Sequence, residues 1–253
     1  MATNVEALET TINSDYASMS IDKEEEGGLI VTGDEGEDGV GRFLTDKVIN
    51  FAAMKNTMAS LWRPGKGVCI KDLSPTLFLF QIFHEIDINK VLESGSWTFD
   101  QHILLVKRLE EDEQPQNILL LTTSFWIQIY NLPIGFMSEK ILKDIRNYIG
   151  IFLASDENNL MGVCRNYMRI RVSMDVRKPL KRRMKLKKAR SDWIWVDLKY
   201  ERLNIFCFTC GLLGHTAQQC PKLYECPKGE IVPVYGHWLK AATRRTVMNS
   251  AKR

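Results

Sequence analysis

No run in this 253-residue chain approaches the roughly 20 consecutive apolar residues of a membrane-spanning helix. The opening MATNVEALETTINSD likewise lacks the basic start and apolar centre of a secretory signal. Both absences predict an intracellular protein, nuclear or cytoplasmic, with no membrane partner. Histidine is scarce: there are four, and His84, His102 and His237 have neither metal-ligand nor triad spacing. No glycine-rich loop that could cradle a phosphate is present, so neither enzymatic activity nor a small-molecule substrate is expected.

What is present is concentrated. Of six cysteines, Cys69, Cys164, Cys207, Cys210, Cys220 and Cys226, four crowd the last fifth of the chain beside a histidine. In a reducing compartment this arrangement predicts metal binding rather than disulfides. Charge is also uneven beneath a net +3: residues 1–38 hold 11 Asp/Glu and one Lys, leaving 33 Lys/Arg against 20 Asp/Glu in the remainder. A body this basic suits a polyanion. The acidic tail has too few large apolar residues to offset its folding entropy, which predicts a disordered, solvated segment or one that folds back on the basic surface.

Beyond the tail the patterns become regular. Val40 to Leu44 reads as a strand, and Thr45 as the cap of a helix carrying Val48, Phe51, Ala52, Met58, Leu61 and Trp62 to Pro64-Gly65. Val68 to Leu73 and Leu77 to Phe83 read as a hairpin, Asp87 opens a short helix that Gly95 closes, and Ile103 to Leu109 is a strand. This order predicts a ferredoxin-like, RNA-recognition-like βαββαβ domain over 39–109. A polar, proline-containing linker follows at 110–117. A second, smaller α+β segment is expected over 118–203, with strands Phe125 to Leu132, Ile151 to Ala154, Tyr167 to Asp175 and Trp193 to Tyr200, and a helix capped by Ser138. In Tyr167 to Asp175, Met168, Ile170, Val172 and Met174 share one face, with Arg169 and Arg171 on the other.

Cys207, Cys210, His215 and Cys220 are separated by two, four and four residues. Thiolate and imidazole at this spacing suit a tetrahedral Zn²⁺ site, and filling all four positions with protein makes the site structural. The knuckle is assigned to 204–226 and a C-terminal tail to 227–253. Gly211 and Gly214 supply the backbone freedom that such a tight loop needs. Cys226 falls outside the spacing. No Lys or Arg lies between Cys207 and Cys220; the stretch from Arg177 to Arg190, with nine Lys/Arg in fourteen residues, supplies charge nearby. Arg177, Lys178, Lys181, Arg182, Arg183, Lys185, Lys187, Lys188 and Arg190, with Arg169 and Arg171, are the candidate phosphate contacts, and a solvated loop is the alternative. Phe78, Phe80 and Phe83 echo the aromatic spacing of a base-stacking strand, although ordinary core burial fits them as well.

The knuckle resembles those of retroviral nucleocapsid proteins, in which an aromatic just after the first cysteine, here Phe208, grips unpaired bases; a hydrophobic cap on the zinc loop is the other reading. Leu212 and Leu213 stand where such knuckles carry polar residues, and would pack on the preceding domain, a protein partner or a second copy. Taken in order, GRFLTDK from Gly41, LFLFQIF, Gly95-Ser96-Trp97, FWIQIYNLP from Phe125, RIRVSMDVRKPLKR from Arg169, KYERLNIFCFTCGLLGH and YGHWLKA resemble a plant family. It is designated domain of unknown function 4283, followed by a CX2CX4HX4C knuckle, and many members look like derivatives of retrotransposon gag-like proteins. The resemblance implies nucleic-acid and Zn²⁺ binding. The expected function is thus zinc-dependent nucleic-acid binding, single-stranded RNA favoured over DNA, with gag-like self-assembly or a protein partner as the alternative.

Overall fold

Small residues alternating with large ones make Glu37–Phe43 a strand, β1, with Gly39, Gly41 and Phe43 along one side. The computed structural model describes residues 37–110, 112–136, 138–159, 166–188, 192–225 and 232–242. Arg190, Cys164, Cys226 and all but the last two residues of the acidic tail lie outside them. Gly41 is small for a reason: a Cβ there would stand 2.5 Å from Phe80 and 3.0 Å from Leu104. The first helix, α1 (Phe51–Trp62), is capped by Asn50, whose side-chain oxygen accepts the Ala53 N–H at 3.1 Å. Thr45, the expected cap, instead accepts the Lys47 N–H in a local turn.

The hairpin of β2 (Val68–Ser74) and β3 (Leu77–Ile82) follows, then α2 (Glu85–Glu93), which His84 caps three residues ahead of the expected Asp87. A strand that the sequence did not announce, β4 (Trp97–Phe99), pairs with β5 (His102–Arg108). Their tight turn holds Asp100 and Gln101 at positive φ, 47° and 64°. Such a turn usually contains glycine, and the missing signal hid the hairpin. The sheet order is β2-β3-β1-β5-β4, antiparallel throughout.

Met54, Met58 and Trp62 of α1 and Ile88 and Val91 of α2 pack with Phe43, Phe78, Phe80, Ile82 and Leu104 in one buried cluster. Phe78 and Phe80 are therefore core residues, and the base-stacking reading of that strand fails. Val40, Ile103 and Leu105, on the opposite side of the sheet, are buried as well, in a larger cluster shared with the second sheet.

The second sheet is built from β6 (Thr122–Tyr130), β7 (Ile151–Ser155), β8 (Tyr167–Asp175), β9 (Arg183–Leu186) and β10 (Ile194–Tyr200), with helix α3 (Glu139–Ile149) after β6. Ser138 stands at the start of α3 as expected, its hydroxyl 3.5 Å from the Ile141 nitrogen. The order β7-β8-β6-β10-β9 repeats that of the first sheet, strand for strand, with every index raised by five. The described residues thus form an α+β fold of two five-stranded antiparallel sheets. One element is not repeated: where α2 joins β3 to β4, the segment from Val176 to Arg182 joins β8 to β9 without a helix. Between the sheets, Pro115–Asn117 make a 3-10 turn, and Glu113 accepts a 2.6 Å bond from Lys107.

Candidate metal centre and basic ribbon

The knuckle is a short hairpin closed on itself. Cys207 donates its N–H to Leu212 O at 2.8 Å, Gly211 returns one to Cys207 O at 2.9 Å, and Phe206 and Leu213 form an antiparallel bridge. Gly211 and Gly214 have φ of 77° and 91°, the left-handed values that glycine tolerates best. The tight turn brings the Cys207, Cys210, His215 and Cys220 ligand atoms within 4.8 Å of one another, with Cys210 Sγ 3.4 Å from His215 Nε2. A tetrahedral zinc with ordinary bond lengths would separate such a sulfur and nitrogen by about 3.6 Å. The donor set therefore fits Zn²⁺, all four positions being supplied by protein.

The thiols themselves call for a cation. Burial, joined by the neighbouring Cys207 sulfur, pushes the Cys210 thiol up to about 12. Burial also works against the Cys207 thiolate, but the Cys210 and Thr209 N–H groups outweigh it and hold Cys207 below the usual range. Cys207 and Cys210 this close do not both ionise without a positive ion beside them.

Leu213 is 6% exposed and belongs, with Phe206 and Leu180, to the core of the second sheet. Leu212 packs on the cysteines instead. The two leucines are not a paired docking patch, which corrects the assembly reading for Leu213. A Cβ on Gly214 would stand 2.7 Å from Leu44, so the knuckle also abuts the end of β1.

Phe208 is half-buried rather than free. Its ring lies 5.0 Å from Phe206 and 4.9 Å from the edge-on His237, and its carbonyl accepts the Tyr235 N–H. The Tyr235 ring lies so close to Gly211 that an added Cβ would be 2.2 Å from it. Arg182 fastens the same strap through Val234 O at 2.7 Å. The expected base-gripping aromatic is thus covered by the chain's own C-terminal strap.

The two strand arginines also differ from expectation. Arg169 makes a bidentate pair with Glu201 at 2.8 and 2.9 Å, reaches Asp156 at 3.2 Å and lies 3.6 Å over the Trp126 ring. Arg171 is buried, donating to Ser124 Oγ and Leu92 O. Both are structural, because two carboxylates already neutralise one and the core encloses the other. Burial pushes the half-buried Glu201 carboxyl up, but hydrogen bonds from Arg169 and Gln128 outweigh it and hold the group below its usual 4.5. Its stabilising contribution is accordingly full above that range and is lost as pH falls through the lowered value. Glu201→Gln should cost about 2 kcal/mol near neutral pH. The gap between wild-type and variant urea midpoints should close in acid, and a gap independent of pH would contradict this account.

The remaining basic residues divide by strand alternation. Lys181 donates to Tyr148 O and lies 3.5 Å over that ring, while Lys188 reaches Gly135 O and the Phe136 ring. Arg177 pairs with Asp175 at 2.8 Å but is still 65% exposed, and Lys178 is exposed beside it. On β9, Met184 turns into the core while Arg183 and Lys185 point to solvent, followed by exposed Lys187. The sequence reading saw charge here and missed the strand. Alternation in RMKL was the available signal, masked by the density of cations.

Two functional candidates were overlooked, Trp193 and Trp195, which are 62% and 46% exposed. Trp195 is paired across the strands with Lys185. Arg183 and Lys185 stand 4.2 and 4.8 Å from the Trp195 ring, and Lys187 is 5.8 Å from that of Trp193. The WIW spacing, large aromatics on the face opposite Val196 and Leu198, was the signal.

Residues 40–117 match the family described as Domain of unknown function (DUF4283), and residues 174–222 match that described as Zinc knuckle. The chain is also similar to "Uncharacterized protein At4g02000" of Arabidopsis thaliana, 22% identical over 136 residues, 54% of this chain and 43% of that protein. The match spans less than half of the plant relative's length. No helix among the described residues is long and apolar enough to cross a membrane.

Proposed function

We propose that this chain, in which a DUF4283 domain precedes a CCHC zinc knuckle, is a non-enzymatic, zinc-dependent binder of nucleic acid, single-stranded RNA in preference to DNA, acting inside the cell. Its first sheet is a ferredoxin-like core with β4 added at the edge. One observation carries the reading: the edge ribbon β9–β10 turns Arg183 and Lys185 to solvent and its other side into the core. Cations fixed on a rigid element neutralise phosphates without having to be ordered first. Zn²⁺ contributes indirectly, since the folded knuckle supports the segment leading into β9 through the bond from Leu180 N–H to Gly211 O.

Single-stranded RNA binding measured against salt tests the reading. Changing Arg183, Lys185 and Lys187 together to alanine should weaken binding about tenfold and flatten the slope of log affinity against log salt by roughly two. A slope that is nearly flat in the wild type, or unchanged in the variant, would sink it.

A further inference from the structure

We infer that Trp193 and Trp195, not Phe208, are the base-stacking platform of this protein, and that their ligand is a run of unpaired nucleobases whose phosphates lie along Arg183, Lys185 and Lys187. This rests on the nucleic-acid reading above and names the surface that touches bases.

Phe208 is occupied from two sides, by Phe206 and by His237 in the C-terminal strap, so a base could reach it only after the strap left. The two tryptophans are exposed, and what lies over the Trp195 ring is the side chains of Arg183 and Lys185, which a base displaces by side-chain rotation without moving a chain segment. Trp195 stands on β10 and Trp193 immediately precedes it, and two residues of extended chain set their backbones about 7 Å apart. Tryptophan offers a broad π-face, and stacking on such a side chain is tolerant of base identity because every base has one too. The cations already gathered round the rings set the polarity of the site. A base laid on Trp195 brings its own phosphate towards Arg183 and Lys185, which lie 4.2 and 4.8 Å from that ring's centre.

Two acidic groups on this face are engaged: Glu201 pairs with Arg169, and Asp197 is held by Asn131. Asp197 lies opposite Arg183 in the ladder and accepts a 2.6 Å bond from Asn131. It borders the phosphate track on the β6 side and favours the course past Lys185 and Lys187. Further along β10, Lys199 stands 4.6 Å from the ring of Tyr130 on β6, and Tyr130 in turn is 5.2 Å from Tyr167 on β8. The alternation of cation and aromatic therefore continues across the sheet. A duplex hides its base faces, so the platform discriminates against paired strands.

The experiment uses the full zinc-loaded chain and three probes: short single-stranded oligouridylate, the matching single-stranded oligothymidylate, and inorganic polyphosphate, which has charge but no bases. Trp193→Ala with Trp195→Ala should weaken both oligonucleotides by about tenfold or more, and leave polyphosphate binding unchanged. Trp→Phe at both positions should restore most of the affinity, and binding of either oligonucleotide should quench wild-type tryptophan fluorescence more than polyphosphate does. Equal losses on all three probes, or undiminished oligonucleotide affinity in the alanine variant, would overturn the platform. If the tryptophan variant binds as wild type while the Arg183/Lys185/Lys187 variant does not, the phosphate reading stands and the platform alone falls. If the wild type binds none of the probes, both fall.

Discussion

Chelating the metal should unfold the knuckle and lower the melting temperature of the second sheet while the helix-packed core of the first persists. A segment this short buries almost nothing of its own, and in zinc-finger peptides the ion contributes on the order of 10 kcal/mol of apparent folding free energy. The loss does not stop at the loop. Phe206 and Leu213 are 4% and 6% exposed against the second core, and each would forfeit about 2 kcal/mol of burial. Phe43, Phe78 and Phe80 lie in a separate cluster that draws nothing from the knuckle. Thermal unfolding followed by near-ultraviolet circular dichroism, with and without chelator, checks this. Cys210→Ser should mimic the chelated protein, and a melting curve indifferent to metal would refute the coupling. Elemental analysis of the purified chain should give one zinc per molecule.

Tyr200→Ala should destabilise the chain by about 4 kcal/mol, the range expected for truncating a fully buried aromatic. Tyr200 is 0% exposed and meets Phe125 edge-on with centroids 5.9 Å apart. Its hydroxyl donates to Lys181 O at 2.8 Å. That bond ties the buried end of β10 to the basic segment entering β9, and Ala241 N–H binds Tyr200 O at 2.8 Å from the strap side. The alanine variant removes the first tie and keeps the second, which is made by a backbone carbonyl. Tyr200→Phe keeps the ring and removes only the hydroxyl, so it should cost about 1 kcal/mol. Urea midpoints order the three proteins, and equal midpoints for wild type and the alanine variant would contradict the packing described.

Much of this is legible in the sequence. The metal ligands follow from spacing alone, because chelation geometry leaves few ways to arrange Cys207, Cys210, His215 and Cys220. Strand β8 was equally clear, since strict alternation over nine residues admits one face in and one out. Where strands fell short of a strong period the reading faltered. Trp97–Phe99 is three residues long and its turn uses Asp100 and Gln101 where glycine would have been a signal. At Arg169 and Arg171 the alternation placed the side chains on the correct face, but partners from distant elements decided their fate. Glu201 lies thirty-two residues from Arg169, and Leu92 lies seventy-nine from Arg171. Phe208 shows the same limit: a motif names the side chain, while the strap that covers it arrives from Tyr235 and His237.

The repeated strand order carries one more consequence. Both halves set out the same five strands, yet the first closes its sheet with a second helix, and the second meets the loop around Leu180 with a hairpin whose four ligands fit a metal ion. Zn²⁺ held there would do in one half the work that a helix does in the other. By mass action, the folded population of that half rises with free zinc. The ribbon lies on it, so under the proposed function the free-zinc concentration sets how many copies are competent to bind.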